Sequence, residues 1–403
     1  MSATVVEAAD SIRRGVRPPP DAASRARALA PLLEAAAPRI EARRRLPEDV
    51  LAALHAAGLF RTLLPRAYGG EELDPASHVL MLEEVAAADA SAAWCLGQGT
   101  GCSMAAAYVE PAVARAVWGD DPRAVLAWGM GGAVAKVVEG GYRVSGRWQF
   151  ASGHGHAAWM GGHCRVQEPD GTIRLGPDGQ PVERTMLFRH DAAAWTAAWD
   201  VIGLRGTGSD TYAVEGLFVP EACSLQRDTD AERRVDAPLY RFSTTHLYAS
   251  GFAGVSLGIA RGLLDAFVAL ARDKTPRASA ATLRDSAAVQ RQTAEAVATL
   301  RSARAFLLET LRGCWDHARS GGRLTLDHRA AIRLAATSAI HRAREVGDWA
   351  YTEAGATAIF ESQPFERRFR DLHAAGQQVQ GRASHLEEVG RHLLGLPPNP
   401  RFL

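Results

Sequence analysis

The densest group of residues able to do chemistry is His154-Gly155-His156 followed by His163-Cys164. Imidazole and thiolate are zinc ligands, but a structural zinc needs four of them closing a tetrahedron, and no second cluster follows to complete the set. Alternation along an extended chain puts His154 and His156 on one face, so a pocket-lining role is the better expectation and no metal is expected. Gly129-Met130-Gly131-Gly132 is glycine-rich, yet no helical pattern follows it, so it is not a dinucleotide-binding fingerprint. The cysteines, Cys95, Cys102, Cys164, Cys223 and Cys314, are odd in number and scattered. That suits buried thiols in a reducing compartment better than a disulfide framework.

The elements that must position these residues fall into three stretches behind a tail. Residues 1–20, ending in Pro18-Pro19-Pro20, lack apolar periodicity and are expected to be disordered. Residues 21–125 read as a helical domain. Helical spacing runs through Ala26–Ile40 and Glu48–Leu59, with Pro47 in a first turn and Gly58 at an end. Asp74-Pro75 starts a further helix carrying Val79, Leu82, Val85 and Ala86 on one face. Residues 126–238 read as a mostly antiparallel β-domain: Ala133–Val138 and Tyr142–Phe150 alternate around a Gly140-Gly141 hairpin, and Thr185–Phe188 and Tyr212–Val219 are further strands. Pro169-Asp170-Gly171 and Pro177-Asp178-Gly179 are turns.

Residues 239–403 return to longer helices. Val289, Thr293, Ala296, Leu300, Ala303, Leu307 and Leu311 form one stripe, ended by Ser320-Gly321-Gly322. Thr325 or Asp327 caps the next helix, and a last one runs through His385–Leu394 before Pro397-Pro398. Long helices with short connections describe an antiparallel four-helix bundle.

Bulk properties narrow the function classes. The 403 residues are 47% apolar and 23% charged with a formal net charge of +1, which argues against nucleic acid as a partner. The basic run Arg43–Arg45 is expected to be a solvated helix face. No apolar run reaches a bilayer span and the first twenty residues hold no signal-peptide core, so a cytoplasmic protein without a membrane partner is expected.

Four motifs in chain order give this organisation a family resemblance. Leu64-Pro65-Arg66-Ala67-Tyr68-Gly69-Gly70 looks like the P-x-x-Y-G-G turn of the acyl-CoA dehydrogenase superfamily. Gly146-Arg147-Trp148-Gln149-Phe150-Ala151-Ser152-Gly153, with Trp159 beyond it, resembles that family's flavin-facing strand. Gly203-Leu204-Arg205-Gly206-Thr207-Gly208-Ser209, then Phe218-Val219-Pro220, resembles its second β-domain signature. Phe369-Arg370-Asp371, then Val389-Gly390-Arg391 and Leu394-Gly395-Leu396, is similar to its C-terminal helices. The resemblance implies an α+β fold: an N-terminal α-helical domain, a central antiparallel β-barrel or sandwich, and a C-terminal four-helix bundle.

Within the superfamily the wording resembles the flavin-dependent monooxygenases. Dehydrogenation of an acyl thioester needs a carboxylate base. The family's two positions for it fall near Val379 and Tyr248, and His373–Ser384 holds no Glu or Asp. The Arg-x-x-Phe-Gly element of the dehydrogenases is also missing from Arg272–Ala280. The resemblance therefore implies the oxygenase of a two-component system, homotetrameric or at least dimeric. It takes FMNH2 or FADH2 from a separate NAD(P)H:flavin reductase and uses O2, through a C4a-(hydro)peroxyflavin, to oxygenate a small aromatic or polycyclic molecule.

The resemblance also suggests residue roles. Ser152 offers a hydroxyl to flavin N5, and Trp128, Gly129, Phe150, Gly153 and Trp159 contact the ring with Thr207, Gly208 and Ser209. Cys102, His154, His156, His246 and Tyr248 line the substrate pocket. Gln378 stands where relatives usually carry a histidine and cannot accept a proton. His373 and His385 flank it as substitutes. Strand aromatics are ordinarily core, and a lone helical histidine is ordinarily a surface or capping residue. Two alternatives stay open: a desaturase with a displaced base, and a member that kept the fold without the chemistry.

Overall fold

Pro31 decides how the N-terminal stretch begins. The pattern over Ala26–Ile40 reads as one helix, but the computed structural model, which describes residues 20–277 and 279–399, has two. Helix α1 (Ala22–Ala28) ends at Leu29, and α2 (Ala30–Arg43) starts with Pro31 in its first turn, where an N–H would have no helical partner. The expected tail lies, Pro20 apart, outside the described residues. Pro47 is the cap of α3 (Glu48–Ala56) rather than part of its first turn, and Gly58 takes a left-handed φ of 71° just beyond its end. Asp74 caps α4 (Pro75–Ala88) by accepting the Ser77 N–H. Asp89 ends α4 and caps α5 (Ala90–Ser103), and the short α6 (Pro111–Ala114) follows.

The β-region is one eight-stranded sheet: β1 (Leu126–Trp128), β2 (Met130–Val138), β3 (Gly141–Gln149), β4 (Trp159–Gln167), β5 (Glu183–Arg189), β6 (Ala194–Thr196), β7 (Thr211–Pro220) and β8 (Ser224–Leu225). The main path is β6-β7-β3-β2-β4-β5-β8, with β1 added on β4. Two pairings, β1 with β4 and β2 with β4, are parallel and the other five are antiparallel, so the expected, mostly antiparallel β-domain is a mixed sheet. The hairpin turn also shifts by one residue. Val138 pairs with Gly141, so Glu139-Gly140 is the loop, and a side chain at Gly141 would meet the Val219 carbonyl at 2.3 Å.

Three long helices follow: α7 (Thr244–Ala271), α8 (Ala287–Arg319) and α9 (Leu326–Ala354). Thr325 is the cap of α9, and the shorter α10 (Glu366–Gly376) and α11 (Ser384–Leu393) pack onto α7 and α9. Helix α4 lies directly on α7, with Gly258 set so that a Cβ would stand 2.4 Å from the Glu83 carbonyl. That closeness brings Glu83, almost fully buried, to Arg304 at 2.7 Å and Arg261 at 3.2 Å. Helix α7 corrects one expectation, being long and apolar enough by length and composition to cross a bilayer. Two thirds (67%) of its most apolar window is buried inside the protein, as in a core helix.

Candidate active site

Just past β3 the chain makes an abrupt turn. Phe150 adopts a φ of +61°, outside the usual range for a side chain of its size, and Gly153 takes +78°. Two backbone hydrogen bonds stitch this turn to the loop before β7: Ala151 N–H to Asp210 O at 3.1 Å, and Gly153 N–H to Thr207 O at 2.9 Å. They bring Ser152 against Ser209 and Thr207, all three buried.

The hydroxyls form a chain whose direction follows from its two ends. Trp94 Nε1 can only donate, and it reaches Ser152 Oγ at 3.2 Å. At the other end Thr207 Oγ1 donates to the Leu204 carbonyl, which can only accept, at 2.8 Å. Between them Ser152 and Ser209, and Ser209 and Thr207, are each 2.7 Å apart. Thr207 therefore accepts from Ser209, and Ser209 from Ser152. Ser152 spends its proton on Ser209 and keeps one lone pair for anything beside it.

The loop that carries Thr207 and Ser209 is clamped from α10. Asp371, buried, accepts the Leu204 N–H at 2.6 Å, and Arg370 donates to the Ile202 carbonyl at 2.5 Å while pairing with Glu41 and Glu366. Gly203 passes so close that a Cβ would lie 2.2 Å from the Arg370 carbonyl. Gly208, at φ +52°, packs as tightly on the Arg44 carbonyl. Two motifs far apart in sequence are thus one device.

Beside Ser152 the end of the sheet is open and apolar. Phe150 is 56% exposed and Met130, paired with Gln149 next door, is 61% exposed. At Gly132 a Cβ would meet nothing within 4 Å. Gly129 is held by its N–H on the Tyr212 hydroxyl at 3.1 Å. Trp159, half-buried, carries the Arg189 guanidinium 5.4 Å from its ring centre. Trp128 is buried, with Arg227 4.9 Å over its ring and His163 edge-on at 5.2 Å.

A second cluster joins α5, α7 and the sheet. The Tyr248 hydroxyl is 3.4 Å from Cys102 Sγ and donates to the Gln98 carbonyl at 3.3 Å, while Gln98 Nε2 reaches the Trp128 carbonyl at 3.4 Å. Burial pushes the Cys102 thiol up to about 12 and the Tyr248 phenol well above its ordinary value, so neither is a base near neutral pH.

The histidines scatter. His154-Gly155-His156 is a single 3-10 turn, not a strand, so the two imidazoles part. His154 stacks on Trp195 at 3.9 Å, with Asp210 and His190 each 3.3 Å from a ring nitrogen. His156 turns into the core against Phe60, and burial pulls it down to about 3. His246 is buried at the start of α7, where its Nδ1 accepts the Ser243 N–H at 3.3 Å, and it faces a separate cavity of about 410 Å³. The remaining candidates serve local partners. His373 donates to Asp348 at 2.7 Å, the Gln378 side chain accepts the Gln380 N–H at 2.7 Å, and His385 donates to the Val379 carbonyl at 2.7 Å. Among the described residues, no hydrogen bond joins these three to Ser152.

Comparison with known proteins settles the family. Residues 24–114 match the acyl-CoA dehydrogenase N-terminal domain and residues 250–380 its C-terminal domain. Indole-3-acetate monooxygenase of Pseudomonas putida is 30% identical over 361 residues, 89% of this chain and 90% of that one. The chain belongs to the flavin-dependent monooxygenase branch of the acyl-CoA dehydrogenase superfamily. The oxygenase component of the FADH(2)-dependent resorcinol hydroxylase of Rhizobium sp. is 27% identical over 391 residues, covering 93% of this chain and 94% of that one. The crystal structure of 3-HSA hydroxylase from Rhodococcus sp. RHA1 superposes with a TM-score of 0.87 at 27% identity, covering 96% and 99% of the two chains.

The residues present fit a flavin. The exposed Met130–Phe150 edge offers an apolar seat for a flat ring, and Ser152 adds a directed polar contact at its margin. Sequence reasoning missed Trp94 and Gln98 as parts of this site. Both lie on the alanine- and glycine-rich α5, buried on nearly every face, so periodicity could not separate a functional side from a packing side.

Proposed function

We propose that this chain is the oxygenase component of a two-component monooxygenase that receives reduced FAD from a separate NAD(P)H:flavin reductase and oxygenates a small aromatic molecule with O2. The observation that carries the reading is the directed chain Trp94–Ser152–Ser209–Thr207 beside the exposed Phe150. When bound, reduced flavin supplies the two electrons that let one atom of O2 enter the substrate while the other leaves as water. Ser152 faces the ligand as an acceptor, which suits the N5–H that reduced flavin carries and oxidised flavin lacks. Phe150 and Met130 support the ring and keep water from it. Tyr248 and Cys102 stay protonated, so they hold a substrate by hydrogen bonds without removing a proton from it.

The same cluster weighs against the desaturase alternative. Tyr248 stands at one expected base position, and Asp371, one of the two acids nearest the other in sequence, is committed to the Leu204 N–H. Use of reduced FAD follows the resorcinol hydroxylase named above. A homotetramer is favoured by the large apolar side chains left exposed on the helices and their ends, among them Ile359, Phe360 and Leu394. Five free cysteines suit a cytoplasmic setting.

The test supplies the purified chain with reductase, NADH, FAD and isotopically labelled O2 against a panel of aromatic compounds. Incorporation of one labelled atom into a product is expected. No oxygenated product, together with bleaching of a tightly bound oxidised flavin by an acyl-CoA, overturns the proposal.

A further inference from the structure

A cavity of about 900 Å³ opens between β4, β5 and the segment after β8, and Arg227, Thr185 and His163 are among its lining residues. Arg227 donates through Nε to Thr185 Oγ1 at 3.2 Å while its guanidinium lies over Trp128. Thr185 Oγ1 is also 2.9 Å from His163 Nδ1. Burial holds His163 well below its ordinary value, so the ring is neutral. The Thr185 hydroxyl thus bridges Arg227 and His163, with either Thr185 or His163 as the donor in the second bond. The cavity is therefore offered the free end of the Arg227 guanidinium beside the neutral His163 ring.

Several other charges on the wall are engaged. Arg184 pairs with Glu232 at 2.5 Å, and Arg165 faces Glu183 across the β4–β5 ladder. Asp228 accepts the N–H and hydroxyl of Thr244 at the start of α7, and Asp178 closes its own turn. Among the described residues no ion pair engages Arg227. Its neighbour Trp128 belongs to the Gln98–Cys102–Tyr248 cluster, so a ligand gripped here would extend toward the substrate side of the site.

We propose that Arg227, beside His163, forms the anion-binding end of the substrate pocket, and that the natural substrate is an aromatic compound bearing a carboxylate. The inference rests on the monooxygenase reading and names its substrate class. A guanidinium fork matches the two oxygens of a carboxylate, and the ring it lies on, Trp128, holds it in place against water. A flavin phosphate is the competing anion. The substrate carboxylate is favoured over it because Trp128, on which Arg227 lies, belongs to the Gln98–Cys102–Tyr248 cluster on the substrate side.

The experiment measures binding of indole-3-acetate and of its uncharged isostere indole-3-acetamide to the full-length chain by equilibrium dialysis. Wild type, Arg227→Met and Arg227→Lys are compared, and the affinity of each for reduced FAD is determined anaerobically. The acid is expected to bind wild type at least about tenfold more tightly than the amide, the ratio to fall to about one in Arg227→Met, and Arg227→Lys to lie between. Reduced-FAD affinity should change less than about twofold. Equal affinity for the two probes, or binding of neither, overturns the proposal. So does a loss of FAD affinity in Arg227→Met matching the loss for the acid, which would give Arg227 to the flavin phosphate. Wild type that prefers the acid yet yields no oxygenated product with reductase and O2 overturns the monooxygenase reading and leaves the anion site standing.

Discussion

Replacing Asp371 by Asn should alter how stability depends on pH. Asp371 is 5% exposed, and burial pushes its carboxyl up to about 7 from an ordinary 3.8. The Leu204 N–H pulls the other way, Asp89 reinforces the rise, and Arg367 opposes it. Because the folded value is raised, the folded protein keeps a proton that the unfolded chain has already lost between those two pH values. Asp371's contribution is whole below about pH 4 and is lost as pH climbs through about 7. The gap of about three, at 1.36 kcal/mol for each, comes to about 4 kcal/mol. Asn keeps a carbonyl oxygen for the Leu204 N–H and does not titrate, so the variant lacks this decline. Urea unfolding of both proteins at about pH 4.5 and about pH 8 is the assay. The stability of the variant relative to wild type should improve by several kcal/mol over that interval. Parallel curves, or a difference moving the opposite way, would refute the reasoning and mean that Asp371 stays ionised in the folded protein.

Other perturbations test other contacts. Glu83→Gln leaves Arg304 without its carboxylate while Arg261 keeps Glu84, and because both guanidiniums are partly exposed it should cost only about 1–2 kcal/mol in urea unfolding. Gly203→Ala must displace the Arg370 carbonyl and should destabilise by about 1–3 kcal/mol, with weaker reduced-flavin binding read in the same samples. Native thiol titration with a disulfide reagent near pH 8 should label Cys223 first, since Cys95, Cys102, Cys164 and Cys314 are buried. Ser209→Ala removes the acceptor of the Ser152 proton, so the Ser152 hydroxyl can turn its hydrogen outward. The ratio of oxidised- to reduced-flavin dissociation constants should fall severalfold, and an unchanged ratio would show that the chain does not set the direction of Ser152.

How far the sequence disclosed this depended on what each residue answers to. Asp74 and Thr325 cap helices through their own side chains, so their local pattern was sufficient. Strand β4 escaped because Gly161 and Gly162 break its alternation. They are small because Trp128 and Trp148 lie on them, where a Cβ would stand 2.9 and 2.6 Å from the rings, a requirement set by distant residues. His154 and His156 show the same limit. Alternation assumes a strand, but the left-handed Gly153 turns the chain into a 3-10 loop and sends the rings to different neighbours. His373, Gln378 and His385 were sought by motif spacing, which finds a place along the chain and says nothing about a partner such as Asp348 waiting across the bundle.

The contact we propose between Ser152 and the flavin is therefore only half set by its own strand. Its hydroxyl takes its direction from Trp94 on α5 and from Ser209 on the loop before β7, and that loop is held by Asp371 and Arg370 on α10. Helical region, sheet and bundle each supply one of these groups, so none of them sets the geometry at Ser152 alone. A change at Asp371 should reach the flavin contact without touching it, through Leu204 to Thr207 and then along the two serines. If reduced-flavin affinity in Asp371→Asn tracks wild type at every pH while stability shifts as calculated, the clamp serves the fold only. If the two move together, helix α10 belongs to the oxygenation site as much as the strand does.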